Sequence, residues 1–474
     1  MNLNTKNIMW YGIPFLIRNF IQLFSLPFFT KYLSPQDFGN LALSTIYGVF
    51  LVGLLNLGLI AAFERNFFEK EKYKERIELM WTLIIFVFVN IFLGFLITYN
   101  IEESINSFFF GKYLPPFLTV YVMTHLGIKS LLQYFYIFYR NSKKAKLYAL
   151  ISTSEAFLSV FFSIFLVIQG EGIVGYSLGQ LLAVTMLLLS LIFLSIFKKE
   201  ITFKHNLLKE NLILSLPLTP RVFFATINSH FDRYMLGILN NRAGVGIYDI
   251  AQKISNLGFI FMTFLQQVFT PEVFQSYVKN PNTFSKKVGE YLSPFFYLSL
   301  FFCLLLGTFS QEIIYLLTAP SFYDSFPLIV ILNMLYATYF FGKQPQLLLA
   351  KKTKLVSYLS FISVILNIIF NLPLIHYYGI IGAAWGTFFS GITIALVSFY
   401  YAQKYAKIVY DNLIYISFIL FQLCMIAVLI LWYYKFDYGF SLSVRIFLLL
   451  LFMITSYKFK IVNKVYLTFI KQQF

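Results

Sequence analysis

The sequence predicts an all-α polytopic membrane protein of about fourteen transmembrane helices. Three observations carry that expectation. The 474 residues are 59% hydrophobic and only 12% charged, whereas a soluble domain carries roughly a quarter charged residues. Apolar runs long enough for a helix to cross the ~30 Å hydrocarbon layer, about 20 residues each, recur from end to end. The basic residues then cluster in every second connection between those runs.

The runs lie near 8–31, 38–62, 79–100, 113–138, 147–168 and 173–197, then 212–239, 246–271, 288–309, 325–350, 355–375 and 379–403, and finally 410–434 and 440–457. The first carries Pro14 and Arg18 and reads as a span of the series rather than as a cleaved leader. With the N-terminus inside, most of the 37 Lys and Arg fall in cytoplasmic segments, and the outer loops keep only Lys31, Lys112, Arg242 and Lys435. By the positive-inside rule, both termini are expected in the cytoplasm. The net charge of +17 is thus a record of topology, and no nucleic-acid partner is expected.

A repeat organises the spans. Residues 172–179 read GIVGYSLG and residues 379–386 read GIIGAAWG, an offset of 207. Gly39 and Gly246 are also 207 apart, K-A-K-L at 144–147 precedes K-T-K-L at 352–355 by 208, and P-x-x-x-R stands at 14–18 and at 217–221. Six spans per copy leave the second copy oriented like the first. That arrangement predicts two six-helix lobes related by a pseudo-two-fold along the membrane normal, as in parallel-repeat transporters. The expected boundaries are residues 1–200, 201–405 and an accessory helix pair in 406–474. The repeated glycines are read as helix-packing sites, because small residues let backbones approach in lipid.

Charges inside spans are costly, so each one asks for a cavity, a partner or an interface. Arg18, Gln22 and Ser25 share one face of the first helix, and Arg221, Asn228 and Asp232 share one face of the seventh. Lys129, Lys253 and Lys343 either line the same cavity or snorkel to an interface, and Arg445 belongs to the accessory pair near the outer surface. The acidic residues within spans are Glu155, Asp232 and Asp249, and these are the candidates for ion coupling. Asp232 beside Arg233 is equally readable as a local charge pair, and His125 either titrates or serves as an interhelical donor. An excess of fixed positive charge favours an anionic ligand. Cys303 and Cys424 sit apart in apolar runs, the four histidines lack ligand spacing, and no phosphate loop or nucleophile elbow occurs. No cofactor, metal or catalytic group is expected.

The stretch FFTKYLSPQDFGNLALSTIYGVFLVGLLNLGLIAAFERNFFE resembles the opening of Wzx-type polysaccharide flippases of the multidrug/oligosaccharidyl-lipid/polysaccharide exporter superfamily. The resemblance rests on the turn Leu33-Ser34-Pro35-Gln36-Asp37-Phe38-Gly39, on its proline-less counterpart L-N-N-R-A-G-V-G-I-Y at 239–248, and on the two G-I-x-G phrases. It extends over about residues 8–405. It implies alternating access around a cation-lined cavity, in the bacterial cytoplasmic membrane, moving a polyprenyl-pyrophosphate-linked oligosaccharide to the outer leaflet for O-antigen or another surface glycan. Implied partners are that lipid-linked oligosaccharide, membrane lipid and the glycan polymerase machinery. On this view Arg18 and Arg221 hold the pyrophosphate, with Gln22, Asn228, Lys129 and Lys253 as further cavity residues. Two alternatives stand beside it: a multidrug or other small-molecule exporter of the same superfamily, against which helix 1 offers Arg18 and no carboxylate, and a membrane enzyme, for which the short outer loops supply no catalytic constellation.

Overall fold

A computed structural model of the chain describes residues 5–111, 114–239, 241–279, 281–342, 346–350 and 352–458. Among these residues all regular structure is helical, and the chain is an all-α polytopic membrane protein. Eight helical stretches are long and apolar enough to cross a membrane, and two of them, Ala145–Phe197 and Lys354–Tyr405, are each long enough to cross twice. The chain divides into two compact units: Met1–Gly246 with Leu317–Ala319, and Ile247–Leu316 with Pro320–Phe474.

The first unit begins with α1 (Thr5–Tyr32) and α2 (Pro35–Asn56). The turn between them is a capping box. Ser34 Oγ accepts from the Asp37 N–H at 3.2 Å, and Asp37 Oδ2 accepts from the Ser34 N–H at 2.9 Å. Pro35 occupies the first helical position, where its missing N–H costs nothing. Half of this device recurs 207 residues later, where Asn241 Oδ1 accepts from the Gly244 N–H at 2.6 Å as α11 (Arg242–Lys279) starts, and the glycine has no side chain to return the bond. Gly39 and Gly246 then meet each other's caps reciprocally: a methyl on Gly39 would strike the Arg242 carbonyl, and one on Gly246 the Pro35 carbonyl. Only glycine permits either approach.

Leu57 and Gly58 adopt positive φ of 51° and 68° and break the second apolar run, so α3 (Leu59–Asn66) is a separate short helix. Beyond it come α4 (Tyr73–Asn100), α5 (Glu102–Phe110) and α6 (Leu118–Asn141). Glu102 accepts the Phe117 and Thr119 N–H groups at 2.9 and 3.1 Å, satisfying donors at the start of α6. Two spans follow, α7 (Ala145–Leu166) and α8 (Gly172–Phe197), and then α9 (His205–Ser215) and α10 (Thr219–Leu239). The core of this unit at one end of the bundle is aromatic, with Phe63, Phe67, Trp81, Tyr134, Phe135 and Phe138 all buried. Elsewhere Phe157, Phe161, Phe165, Leu189 and Phe193 are more than half exposed, as expected of side chains that face lipid instead of water.

The second unit holds most of α11, then α12 (Pro281–Thr308), α13 (Ser310–Leu317), α14 (Phe326–Gly342), α15 (Gln346–Leu349), α16 (Thr353–Tyr405), α17 (Asn412–Tyr433) and α18 (Tyr438–Lys458). Arg445 on α18 is 3% exposed and makes a bidentate pair with Glu312 on α13, at 2.8 and 2.9 Å, plus a bond to the Thr308 carbonyl at 2.9 Å. These bonds fasten α18 to α12 and α13. Lys343 lies outside the described residues.

The repeated glycine phrase has two separate physical roles. Gly172 (φ 54°, ψ −139°) and Gly379 (φ 56°, ψ −129°) share one backbone conformation that a Cβ forbids, and there the chain reverses from one span into the next. Helix packing therefore does not account for the first glycine of each phrase; a hairpin turn does. The later glycines are packing sites: Gly179 lies on the backbone of Ser163, Gly382 on the Leu374 carbonyl and Gly386 on Asn371. Each hairpin zips up because small residues follow the turn at helical spacing.

Candidate ligand-binding site

On α6, Lys129, Gln133, Tyr136 and Arg140 recur at i, i+4, i+7 and i+11 and so form one polar stripe along the helix. α7 returns antiparallel after a three-residue turn and packs against α6, while α1 packs along α7. This places Glu155, near the middle of α7, opposite the stripe. Its carboxylate is 2% exposed, accepts from Lys129 Nζ at 2.8 Å on one oxygen and from the Tyr136 hydroxyl at 2.6 Å on the other. Arg18, near the middle of α1, lies within electrostatic reach of Glu155, Lys129 and Tyr136. His125, one turn before Lys129, is buried at 6% exposure, and its Nδ1 has no hydrogen-bond partner among the described residues.

The cluster thus holds two cations and one anion on three helices, far from either end of each. An isolated carboxylate at such a depth is heavily disfavoured, and here two donors and a second cation hold it. The remaining positive charge is that of a site that attracts anions. Toward the ends of α6 and α7, Tyr148 stacks edge-on against Tyr136 at 6.0 Å, and Arg140 pairs with Glu64. The polar stripe therefore continues from the buried pair to the helix ends.

The other residues singled out from the sequence are placed as follows. Lys253 and Asp249 pair within α11 at 2.9 Å, one turn apart, with the lysine side chain 40% exposed. Asp232 is buried on α10 and accepts from the Arg233 N–H at 2.8 Å. Gln22 is exposed on α1, while Ser25 is buried and donates to the Gln22 carbonyl at 2.8 Å. Arg221 and Asn228 belong to α10, and their side chains lie outside the described residues. The Lys129–Glu155 pairing was beyond reach of spacing alone, because it joins two helices. The Asp249–Lys253 pairing had its signal in the i, i+4 spacing.

One feature carried no sequence signal. An apolar cavity of about 180 Å³ in the first unit is lined by Ile46, Tyr47 and Phe50 of α2, Phe109 and Phe110 of α5, and His230, Phe231 and Tyr234 of α10. At one wall the Tyr47 hydroxyl pairs with Thr98 at 3.0 Å. Among the described residues no three His, Cys, Asp or Glu side chains converge as a metal site. Cys303 and Cys424 are buried free thiols.

Solved structures share this fold. A lipid II flippase MurJ in an inward closed conformation superposes with a TM-score of 0.72 at 18% identity, over 95% of this chain and 98% of that one. An inward-facing multidrug resistance MATE family transporter of the MOP superfamily gives 0.60 at 16% identity, over 84% and 97%. A MOP superfamily transporter from Pyrococcus furiosus, described as having a binding pocket of reverse polarity, gives 0.55 at 17% identity, over 84% and 95%. Among curated protein sequences none matches this chain. The family model described as polysaccharide biosynthesis protein matches residues 4–276, more than half the chain. The family that the turn at Leu33–Gly39 and the glycine phrases suggested is the one found, and the chain belongs to the polysaccharide biosynthesis protein family.

Proposed function

We propose that the chain is a flippase that carries a polyprenyl-pyrophosphate-linked oligosaccharide across the cytoplasmic membrane by alternating access, for export of a surface glycan. The observation that carries this reading is the net-cationic cluster of Arg18 and the part-exposed Lys129 around the buried Glu155, on α1, α6 and α7. A diphosphate is a compact polyanion, and a guanidinium and an ammonium set within spans bind it with charge-assisted hydrogen bonds. The sugar, which bears only hydroxyls and amides, needs room and water rather than charge, and the prenyl chain is soluble in the bilayer itself.

In this reading Arg18 and Lys129 hold the pyrophosphate, joined by Arg221 from the equivalent helix of the second half. Gln22, Asn228 and Lys253 serve the glycan or its phosphates, and Asp232, Glu155 and Asp249 are the groups available for ion coupling. The functional halves are residues 1–200 and 201–405, followed by the pair in 406–474, with both termini cytoplasmic. Support for the duplication comes from the caps at Ser34 and Asn241, the reciprocal contacts of Gly39 and Gly246, and the matching turns at Gly172 and Gly379.

The test is deletion in the source organism, in a background without redundant flippases, followed by leaflet assignment of polyprenyl-linked sugars. The expected result is a complete oligosaccharide accumulating on the cytoplasmic leaflet. Normal lipid-linked sugars with undiminished surface glycan would remove the proposal. Within the protein, Arg18→Ala and Arg221→Ala at wild-type expression are expected to block export, and wild-type export by both would exclude them from the pyrophosphate site.

A further inference from the structure

Lys129 is assigned to the pyrophosphate above, yet its ammonium is already bonded to Glu155 at 2.8 Å. The two partners are not equally accessible. The Lys129 side chain is 23% exposed and that of Glu155 only 3%, so an incoming anion reaches the lysine first. The ammonium has three N–H donors and can contact a phosphate and a carboxylate oxygen together, but the two anions then stand side by side and repel, so each weakens the other's hold on Lys129. Tyr136 meanwhile holds the second carboxylate oxygen at 2.6 Å, from the same helix as Lys129.

We propose that Glu155 is a built-in competitor for Lys129, exchanged for a phosphate group on binding and restored on release. The inference rests on the reading of Arg18 and Lys129 as the pyrophosphate site and deepens it. When phosphate takes the ammonium, Tyr136 and the field of Arg18 hold the buried carboxylate in part, and the remaining cost of parting it from Lys129 is what lowers the affinity for the anion. The competitor lowers affinity and opens a route to release, which a carrier needs and a storage site does not. Glu155 is thus a positioning residue that sets how long the anion stays, and Tyr136 is its parking partner.

The experiment uses the purified full chain in detergent with farnesyl pyrophosphate as probe, read as equilibrium affinity and dissociation rate. Glu155→Gln keeps the shape and removes the competing charge, and is expected to bind the probe about tenfold more tightly or better, through slower dissociation. Glu155→Asp, which withdraws the carboxylate by one methylene, is expected to fall between and carries the test should the glutamine variant not fold. Lys129→Gln weakens binding, and in the double variant with Glu155→Gln the gain disappears. Equal or weaker binding by both Glu155 variants, alongside loss in Lys129→Gln, would overturn the competitor and leave the binding site standing. No binding by the wild type, or indifference to Lys129→Gln, would overturn the site and the competitor together.

Discussion

Two of the Lys–carboxylate pairs among the described residues, Lys129–Glu155 and Lys253–Asp249, are of nearly equal length and are built differently. Lys129–Glu155 joins α6 to α7 at 2.8 Å, adds Tyr136 to the carboxylate and stands in the field of Arg18. Asp249–Lys253 spans a single turn of α11 at 2.9 Å, with its lysine 40% exposed. The first pair holds two helices together around a buried charge. The second follows from helical spacing and leaves its cation room to snorkel. What separates them is not the backbone, which repeats: the hairpins α7–α8 and α16 turn on glycines of the same φ and ψ. At the repeat offset of 207 to 208, Glu155 falls on Ile362 or Ser363 and Lys129 on Tyr336 or Ala337. The glycine turns recur at this offset and the charge cluster does not, so the interhelical pair is a feature of the first unit alone among these aligned positions.

The sharpest way to break that contrast is to remove one lysine from each pair. Lys129→Ala leaves the Glu155 carboxylate buried between helices without its ammonium, at an expected cost of about 3–5 kcal/mol. Thermal unfolding of the purified protein checks it, and adding Glu155→Gln in the same chain is expected to recover most of the loss, since no charge is then stranded. A loss near zero for Lys129→Ala would mean that the pair does not hold α6 and α7.

Arg445→Ala is the next largest, at about 2–3 kcal/mol, because it removes charge-assisted bonds to Glu312 and the Thr308 carbonyl. Glu312 keeps the Tyr438 hydroxyl at 3.1 Å and some solvent, which sets this cost below that at Glu155. Protease nicking between α16 and α17, at residues 406–411, is expected to speed up in parallel as the accessory pair loosens. Unchanged nicking and an unchanged unfolding midpoint would show that the pair is held by apolar packing alone.

The duplicated part is tested by Gly172→Ala and Gly379→Ala, one at a time. Each places a Cβ on a backbone that only glycine adopts, and each is expected to cost about 1–2 kcal/mol. Equal costs sharpen the comparison by assigning both hairpins the same strain. A large cost at one and none at the other would mean that the two turns are alike in angle but not in constraint.

How much of this was legible beforehand depends on the range of each interaction. The fourteen apolar runs map onto the long helices, with α16 holding two of them, because hydropathy and length are local properties of the chain. The breaks inside the runs 38–62 and 212–239 were missed, because within apolar sequence a Leu57–Gly58 turn at positive φ looks the same as continued helix, and α5 and α13 are short helices in what read as connections. The capping residues Ser34 and Asn241 were in view as a motif, and their chemistry was readable once the helix starts were known. The cluster at Arg18, Lys129 and Glu155 was legible only as separate costly charges. Which charge meets which depends on α6, α7 and α1 packing side by side, and no spacing in the sequence encodes that.

The smallest expected effect is at Lys253. Its partner Asp249 is one turn away on the same helix, so the pair fixes no second element, and an i, i+4 pair with so exposed a lysine contributes below about 1 kcal/mol. Lys253→Ala is therefore expected to move the unfolding midpoint by much less than Lys129→Ala. Its effect on farnesyl pyrophosphate binding is expected to be a severalfold loss that fades with added salt, because an exposed cation acts through the long-range field, which counterions screen. The Lys129 effect is expected to fade less in the same salt, since its ammonium is the less exposed of the two and acts on the anion at contact distance rather than through the long-range field. If salt erased both alike, the two lysines would share one solvated environment, and the distinction between an interhelical and a local pair would carry no functional weight.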